Sequence, residues 1–222
     1  SDRDGSVYDY FRDRLIFPIE DLRGQVIGFG ARALDEVKPK YLNSPESPSF
    51  VKKSVLYGWS RARKAARRGL PVMVVEGYMD VIAVASSGVA AAVAPLGTAL
   101  GEDQFRLLWK LSNDPVLCFD GDKAGQIAAQ RAIERVLPLL EPGRSVRLAV
   151  LPEGQDPDDI LRQKGPDGLR RILSAATGLL DSLWASKAAD YHLDNPRTQA
   201  GVKAAFWHCL LYTSDAADEE RG

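Results

Sequence analysis

The sequence predicts an α/β fold: a parallel sheet flanked by helices, preceded by a partial mixed α+β basic segment and followed by a helical region. Three observations predict it. Unbroken apolar runs such as Val72-Met73-Val74-Val75 read as strands buried on both faces. From 72 to 151 these runs alternate with helix-length stretches, the pattern of successive βα units. From Pro157 onward only helical periodicity remains.

Taken in order, Asp9–Leu15 reads as a helix end and Leu15–Glu20 as a strand. Asp21-Leu22-Arg23-Gly24 is a turn with Gly where a positive φ is tolerated. Gln25–Ala31 alternates, so 15–31 is a hairpin. The stretch 38–50 contains Pro39, Pro45 and Pro48 and is expected to be irregular. Trp59–Arg68 is a short basic helix ended by Gly69 and Pro71. Val72–Val75, Val89–Ala94, Pro115–Phe119 and Ser145–Leu151 are buried strands. The helices between them are Tyr78–Ser86 (ended by Gly88), Glu102–Leu111 and Lys123–Leu139. Four more helical segments follow: Pro157–Gln163, Gly165–Ala176, Leu179–Asp194 and Arg197–Leu211. The domain boundaries expected from this are 1–70 for the basic subdomain, 71–155 for the sheet domain and 156–211 for a helical subdomain. A solvated, disordered tail is expected over 212–222.

The 222 residues carry 29 Lys+Arg against 30 Asp+Glu, with 45% hydrophobic residues. Enough apolar surface is present to exclude disorder as the dominant state. No apolar run approaches the ~20 residues of a membrane helix, so no membrane partner is expected. Two cysteines, Cys118 and Cys209, cannot build a disulfide framework, and no Cys/His spacing suits zinc. Ser1 begins the chain without an initiator Met or a signal peptide, so the start reads as a cut inside a larger protein.

A net charge of -1 argues against nucleic acid until it is mapped along the chain. Residues 1–75 carry 14 Lys+Arg against 9 Asp+Glu, and residues 76–122 carry 2 against 7. A basic block suits phosphates. Acids among apolar strands suit a divalent metal. Composition alone also fits two solvated faces.

Three strands run directly into acids: Glu76 and Asp80, then Asp120 and Asp122, then Glu153, Asp156 and Asp158. In a parallel α/β sheet, sites form at the carboxyl ends of the strands. A lone Asp-Gly-Asp is an ordinary capped turn. Three clusters at successive strand ends point to a metal site, because crowded carboxylates need a cation. Hard oxygen ligands suit Mg²⁺ or Mn²⁺, and such ions support phosphoryl transfer. Gly77, Gly121 and Gly125 are expected to let the backbone turn sharply there and a bulky ligand approach.

EGYMD at 76–80, DGDKAG at 120–125 and EGQDPDD at 153–159 resemble the signature of the TOPRIM domain, found in topoisomerases, primases, nucleases and recombination-mediator proteins. FPIEDLRGQVIGFGAR (17–32), PKYLNSPES (39–47) and LYGWSRAR (56–63) are similar to the segment that precedes this domain in DnaG-type bacterial DNA primases. The resemblance runs from about Tyr8 to Leu173. It implies a TOPRIM-type sheet and template-directed synthesis of RNA primers on single-stranded DNA from ribonucleoside triphosphates. It implies Glu76, Asp120 and Asp122 as catalytic residues, Glu76 as general base or acid. It implies a metal set of Glu76, Asp80, Asp120, Asp122, Asp156 and Asp158, holding Mg²⁺ or Mn²⁺. Arg32, Lys40, Tyr41, Asn43 and Lys52 match the family's nucleic-acid and nucleotide-contacting ridge.

By the same resemblance, the partners are a single-stranded DNA template, ribonucleoside triphosphates and an RNA primer–template duplex, in a cytoplasmic bacterial replisome. A zinc domain and a domain docking on the replicative helicase belong to the family's full chain and lie outside this one. Little primer synthesis is therefore expected from this segment by itself. The alternatives are another TOPRIM enzyme, a topoisomerase or nuclease, and a non-catalytic nucleic-acid-binding scaffold. Arg61, Arg63, Lys64, Arg67 and Arg68 fit either a solvated helix face or a nucleic-acid contact. Tyr41 fits either base stacking or core packing, and Lys123 either phosphate contact or screening of the acids. Trp59, Trp109, Trp184 and Trp207 read as core, and His192 and His208 as structural.

Overall fold

The computed structural model describes residues 9–97, 99–189, 199–204 and 206–207. His192, His208, Cys209 and the 212–222 tail lie outside them.

A small antiparallel sheet comes first, with strand order β1 (Arg14–Glu20), β2 (Val26–Ala33), β3 (Tyr41–Asn43). Asp21 closes the hairpin by accepting the Gln25 and Arg23 N–H groups, and Gly24 takes φ +88°. Alternation turns Phe17 and Ile19 inward, while Leu15 and Ile16 stay partly exposed. The expected helix end over 9–15 is absent. Asp13 adopts φ +48°, which breaks a helix, and its carbonyl accepts from Leu34 N–H at 3.0 Å to extend the ladder. The proline-rich stretch hides β3, whose three residues are too few to show a period.

The second sheet has the order β5-β4-β6-β7-β8. β4 (Val72–Val74), β5 (Ala91–Val93), β6 (Val116–Phe119) and β7 (Arg147–Val150) are parallel. β8 (Thr177–Gly178), not anticipated, pairs antiparallel at the edge. The helices are α1 (Trp59–Ala66), α2 (Tyr78–Ser87), α3 (Glu102–Leu108), α4 (Lys123–Val136), α5 (Pro157–Ser174) and α6 (Leu179–Ala189). α5 is broken at Gly165, φ +65°, where two separate helices were expected.

Each parallel strand packs on both faces. Val72, Val74, Leu117 and Leu148 meet Trp59, Phe105 and Ile133 on one side. Met73, Val75, Val116 and Ala149 meet Phe17, Ile19 and Ile160 on the other. The antiparallel sheet and α5 thus share a core with the parallel sheet, which fixes the basic segment against its rim. Trp59 and Trp109 are core as expected. Trp184 and Trp207 are not: they are 41% and 55% exposed, because their helical segments sit at the periphery. Among the described residues no helix is long and apolar enough to cross a membrane.

Candidate functional site

β4, β6 and β7 are adjacent in the sheet, so the acids that follow them emerge on one rim. Glu76 is exposed just beyond β4, and its Oε1 accepts the Asp120 N–H at 3.2 Å, joining the ends of β4 and β6. Asp80, half-buried in the first turn of α2, accepts from Gly77 N–H at 3.1 Å. Asp122 caps α4 by accepting from Gly125 N–H at 2.7 Å. Asp156 caps α5 by accepting from Asp159 N–H at 2.7 Å.

These carboxylates feel one another. Burial, then Asp156, Asp120 and Glu76, raises the Asp80 carboxyl to about 7. Burial, then Glu76, Asp156 and Asp122, raises Asp120 to about 6. Burial, then Asp120, Asp80 and Glu76, pushes the neighbouring Cys118 thiol up to about 12, which disfavours its thiolate at neutral pH. Asp158 stands apart: its carboxylate pairs with Arg162 one turn along α5.

Among the described residues no three His, Cys, Asp or Glu side chains close a cage by themselves. An all-oxygen donor set carrying excess negative charge nevertheless fits a hard divalent cation that keeps several waters and completes its shell from the substrate. Glu76, Asp80, Asp120, Asp122 and Asp156 are the residues that would hold it, with Asp158 beside them on α5. A cavity of about 270 Å³ opens beside Glu76, walled by Val74, Leu100, Leu117 and Phe119, with Arg135 donating to the Leu100 carbonyl at 3.0 Å.

Two glycines build the rim by close approach. A Cβ on Gly121 would lie 2.3 Å from the Leu151 and Pro152 carbonyl oxygens, and one on Gly125 2.1 Å from the Asp120 carbonyl oxygen. The backbone bends at Gly77 and Gly121 as expected, though without a positive φ at either, and at Gly121 and Gly125 close packing on backbone is what requires the missing side chain.

The basic ridge is brought together in part. Arg32 and Tyr41 are register partners on β2 and β3, with the Arg32 guanidinium 5.9 Å from the Tyr41 ring centre. Tyr41 is 40% exposed, available for stacking. Lys40, also exposed, directly precedes it. Lys52 lies elsewhere, in a short 3₁₀ turn held to α3 by Gln104, whose Nε2 donates to the Lys52 and Val55 carbonyls. Asn43 is partly buried with both ends of its amide engaged, a role that sequence reading missed together with its partner Tyr78. The one signal was the aromatic residue inside EGYMD.

The raised carboxyls have a consequence for stability. Folded Asp80 and Asp120 hold protons that the unfolded chain releases, so their contribution is most favourable below about pH 4. It is lost as pH rises through the interval up to about 7. Asp80→Asn, which keeps an acceptor for Gly77 N–H, is therefore expected to match the parent near pH 4. At pH 8 without metal it should melt about 3–6 °C higher. Thermal unfolding against pH checks this; a difference that does not grow with pH would contradict it.

The span of parallel strands whose adjacent ends share the carboxylate rim is matched, over residues 73–161, by the family described as Toprim-like. The family described as the DNA primase catalytic core, N-terminal domain, matches residues 1–63. A DNA primase of Pseudomonas aeruginosa is 52% identical over 178 residues, 80% of this chain and 27% of that protein. A crystal structure of a DNA primase domain from Pseudomonas aeruginosa superimposes with a TM-score of 0.88 at 41% identity, covering 99% of this chain and 71% of that one. The structure of a DnaG primase catalytic domain bound to single-stranded DNA gives 0.85 at 37% identity, covering 99% of this chain and 74% of that one. The chain belongs to the DnaG-type DNA primase catalytic-core family. It spans about a quarter of the length of the first of these curated relatives.

Proposed function

We propose that this chain supplies the metal-holding rim and part of the template-facing surface for template-directed synthesis of RNA primers from ribonucleoside triphosphates on single-stranded DNA. The observation that carries the reading is the rim itself: Glu76, Asp80, Asp120, Asp122 and Asp156 crowd the carboxyl ends of adjacent strands, with Asp80 and Asp120 raised by burial and then by their neighbours. A bound Mg²⁺ or Mn²⁺ would neutralise charge on the reacting and leaving phosphates.

The protein's own groups would do the rest. Glu76, exposed and joined to the β6 end through Asp120 N–H, would take the proton from the attacking 3′-hydroxyl. Arg32 and Lys40 would hold phosphates of template or triphosphate, giving salt-sensitive binding without sequence preference. Tyr41 offers an exposed ring for a base. Lys123, exposed at the start of α4, would meet phosphate beside Asp122. Asp158, which pairs with Arg162 one turn along α5, would turn to the cation and complete the set when metal binds. A primase acts in the cytoplasm on the replicating chromosome, and we place this chain there.

The test is ribonucleotide incorporation on single-stranded DNA by a chain of the relatives' full length. Incorporation that requires both template and divalent metal is expected. Nicking or relaxation of supercoiled DNA without primer synthesis would favour a topoisomerase or nuclease instead.

A further inference from the structure

We infer that Tyr78 and Asn43 form a clasp that sets the acidic rim in register with the basic sheet, so that one ligand can reach both. The clasp acts by positioning and presupposes the reading of the site given above. It joins three elements. Tyr78 opens α2, two residues beyond Glu76, and its hydroxyl donates to Asn43 Oδ1 at 2.5 Å. Asn43 ends β3, and its Nδ2 donates to the Leu96 carbonyl at 3.3 Å, in the loop after β5. A single amide therefore ties the basic sheet to both sides of the β4–β5 rim.

The surroundings leave the Tyr78 ring little freedom. It is 7% exposed, stacked on Phe17 with centroids 5.0 Å apart and planes within 1°, and set edge-on to Tyr57 at 4.6 Å. Its tip lies against Gly30 of β2, where a Cβ would stand 2.4 Å from Tyr78 Cζ. Gly30 is the register partner of Asn43, so the missing side chain and the amide face the ring from neighbouring strands. The chain continues from Asn43 to Tyr41, whose ring is 6.2 Å from that of Tyr78 and which carries Arg32 above it. From Glu76 to Arg32 the path thus runs through the Tyr78 and Tyr41 rings and the Tyr78–Asn43 hydrogen bond, while the Asn43–Leu96 bond anchors the amide from the other side. A half-buried hydroxyl–amide bond of this kind fixes orientation more than it adds stability.

The hydroxyl can be removed while the packing stays. Binding of three probes to this chain separates the roles: Mn²⁺ alone reads the acids, oligo-deoxythymidine alone reads the basic sheet, and ATP with and without Mn²⁺ reads both together. In Tyr78→Phe, Mn²⁺ alone and the oligonucleotide alone are expected to bind within about twofold of wild type. The Mn²⁺-dependent gain in ATP affinity should shrink by about three- to tenfold, the worth of one hydrogen bond. Gly30→Ala, which displaces the ring instead, should lose the same gain. Two results overturn the clasp: a full Mn²⁺-dependent gain in Tyr78→Phe, or a proportional loss for all three probes, which marks a merely structural tyrosine. A wild type whose ATP affinity ignores Mn²⁺ would overturn the reading of the site, and the clasp with it.

Discussion

In a chain of the relatives' full length, Glu76→Gln is expected to reduce ribonucleotide incorporation on single-stranded DNA by about 10²–10⁴-fold, the range lost with a general base. The substitution is close to isosteric, and a Gln Oε1 can still accept the Asp120 N–H that Glu76 accepts now. Glu76 is exposed, so no core packing is disturbed. Removing its charge also relieves Asp80 and Asp120, both of which it raises, so the variant should fold at least as well as its parent. A large loss of rate without loss of stability therefore isolates the carboxylate's chemistry. Template affinity, read on the basic sheet, should stay within about threefold. Activity within tenfold of wild type would mean that Glu76 neither moves the proton nor helps to hold the metal.

Gly125→Ala carries the largest expected effect on the fold of the site. The added Cβ would sit 2.1 Å from the Asp120 carbonyl oxygen and 2.9 Å from its carbonyl carbon. Both are backbone atoms at the end of a central strand, and neither can swing aside as a side-chain tip would. The first turn of α4 would have to lift, breaking the Gly125 N–H bond to Asp122. The cost expected from such overpacking is about 2–4 kcal/mol, a fall of roughly 5–15 °C in Tm. Mn²⁺ affinity should drop with it, because Asp120 and Asp122 lose their relative placement. Gly101→Ala is the control. Its φ is -106°, nothing lies within 4 Å of its Cβ, and it precedes α3 as Gly125 sits within α4. As a change at the N-cap of α3 it should cost about 0.5–1 kcal/mol, well short of the Gly125 cost. Equal melting temperatures for the two variants would contradict the close-approach account.

The parallel sheet was readable because buried strands have a loud signature. Val72–Val75 and Pro115–Phe119 have no polar face to hide, and each ends in an acid at the predicted rim. The signals that failed were short or non-local. β3 and β8 have three and two residues, below any period, and exist only because a neighbouring strand offers a ladder. Asp13 ends helicity by a backbone conformation that its residue type permits without requiring. Trp184 and Trp207 are exposed because their position depends on what packs beside them, which hydrophobicity does not encode.

The site divides in the same way. Glu76, Asp120 and Asp156 follow from strand ends, and sequence order suffices to find them. That Asp158 pairs with Arg162 follows from i, i+4 spacing on α5, legible once that helix is assigned. That Asn43 holds Tyr78 joins residues 35 apart and needs the packing of two sheets. The two blocks of opposite charge are now adjacent in space: the basic strands dock on α2 and the β4–β5 rim through that pair.

The most direct test of a metal-holding rim is calorimetric titration of Mn²⁺ into this chain and into Asp120→Ala. Asp120 lies among Glu76, Asp122 and Asp156, each of which raises it, so its removal takes away the centre of the donor set. Saturable binding by wild type and at least about tenfold weaker binding by Asp120→Ala is the predicted result. Indistinguishable titrations of the two proteins would contradict it.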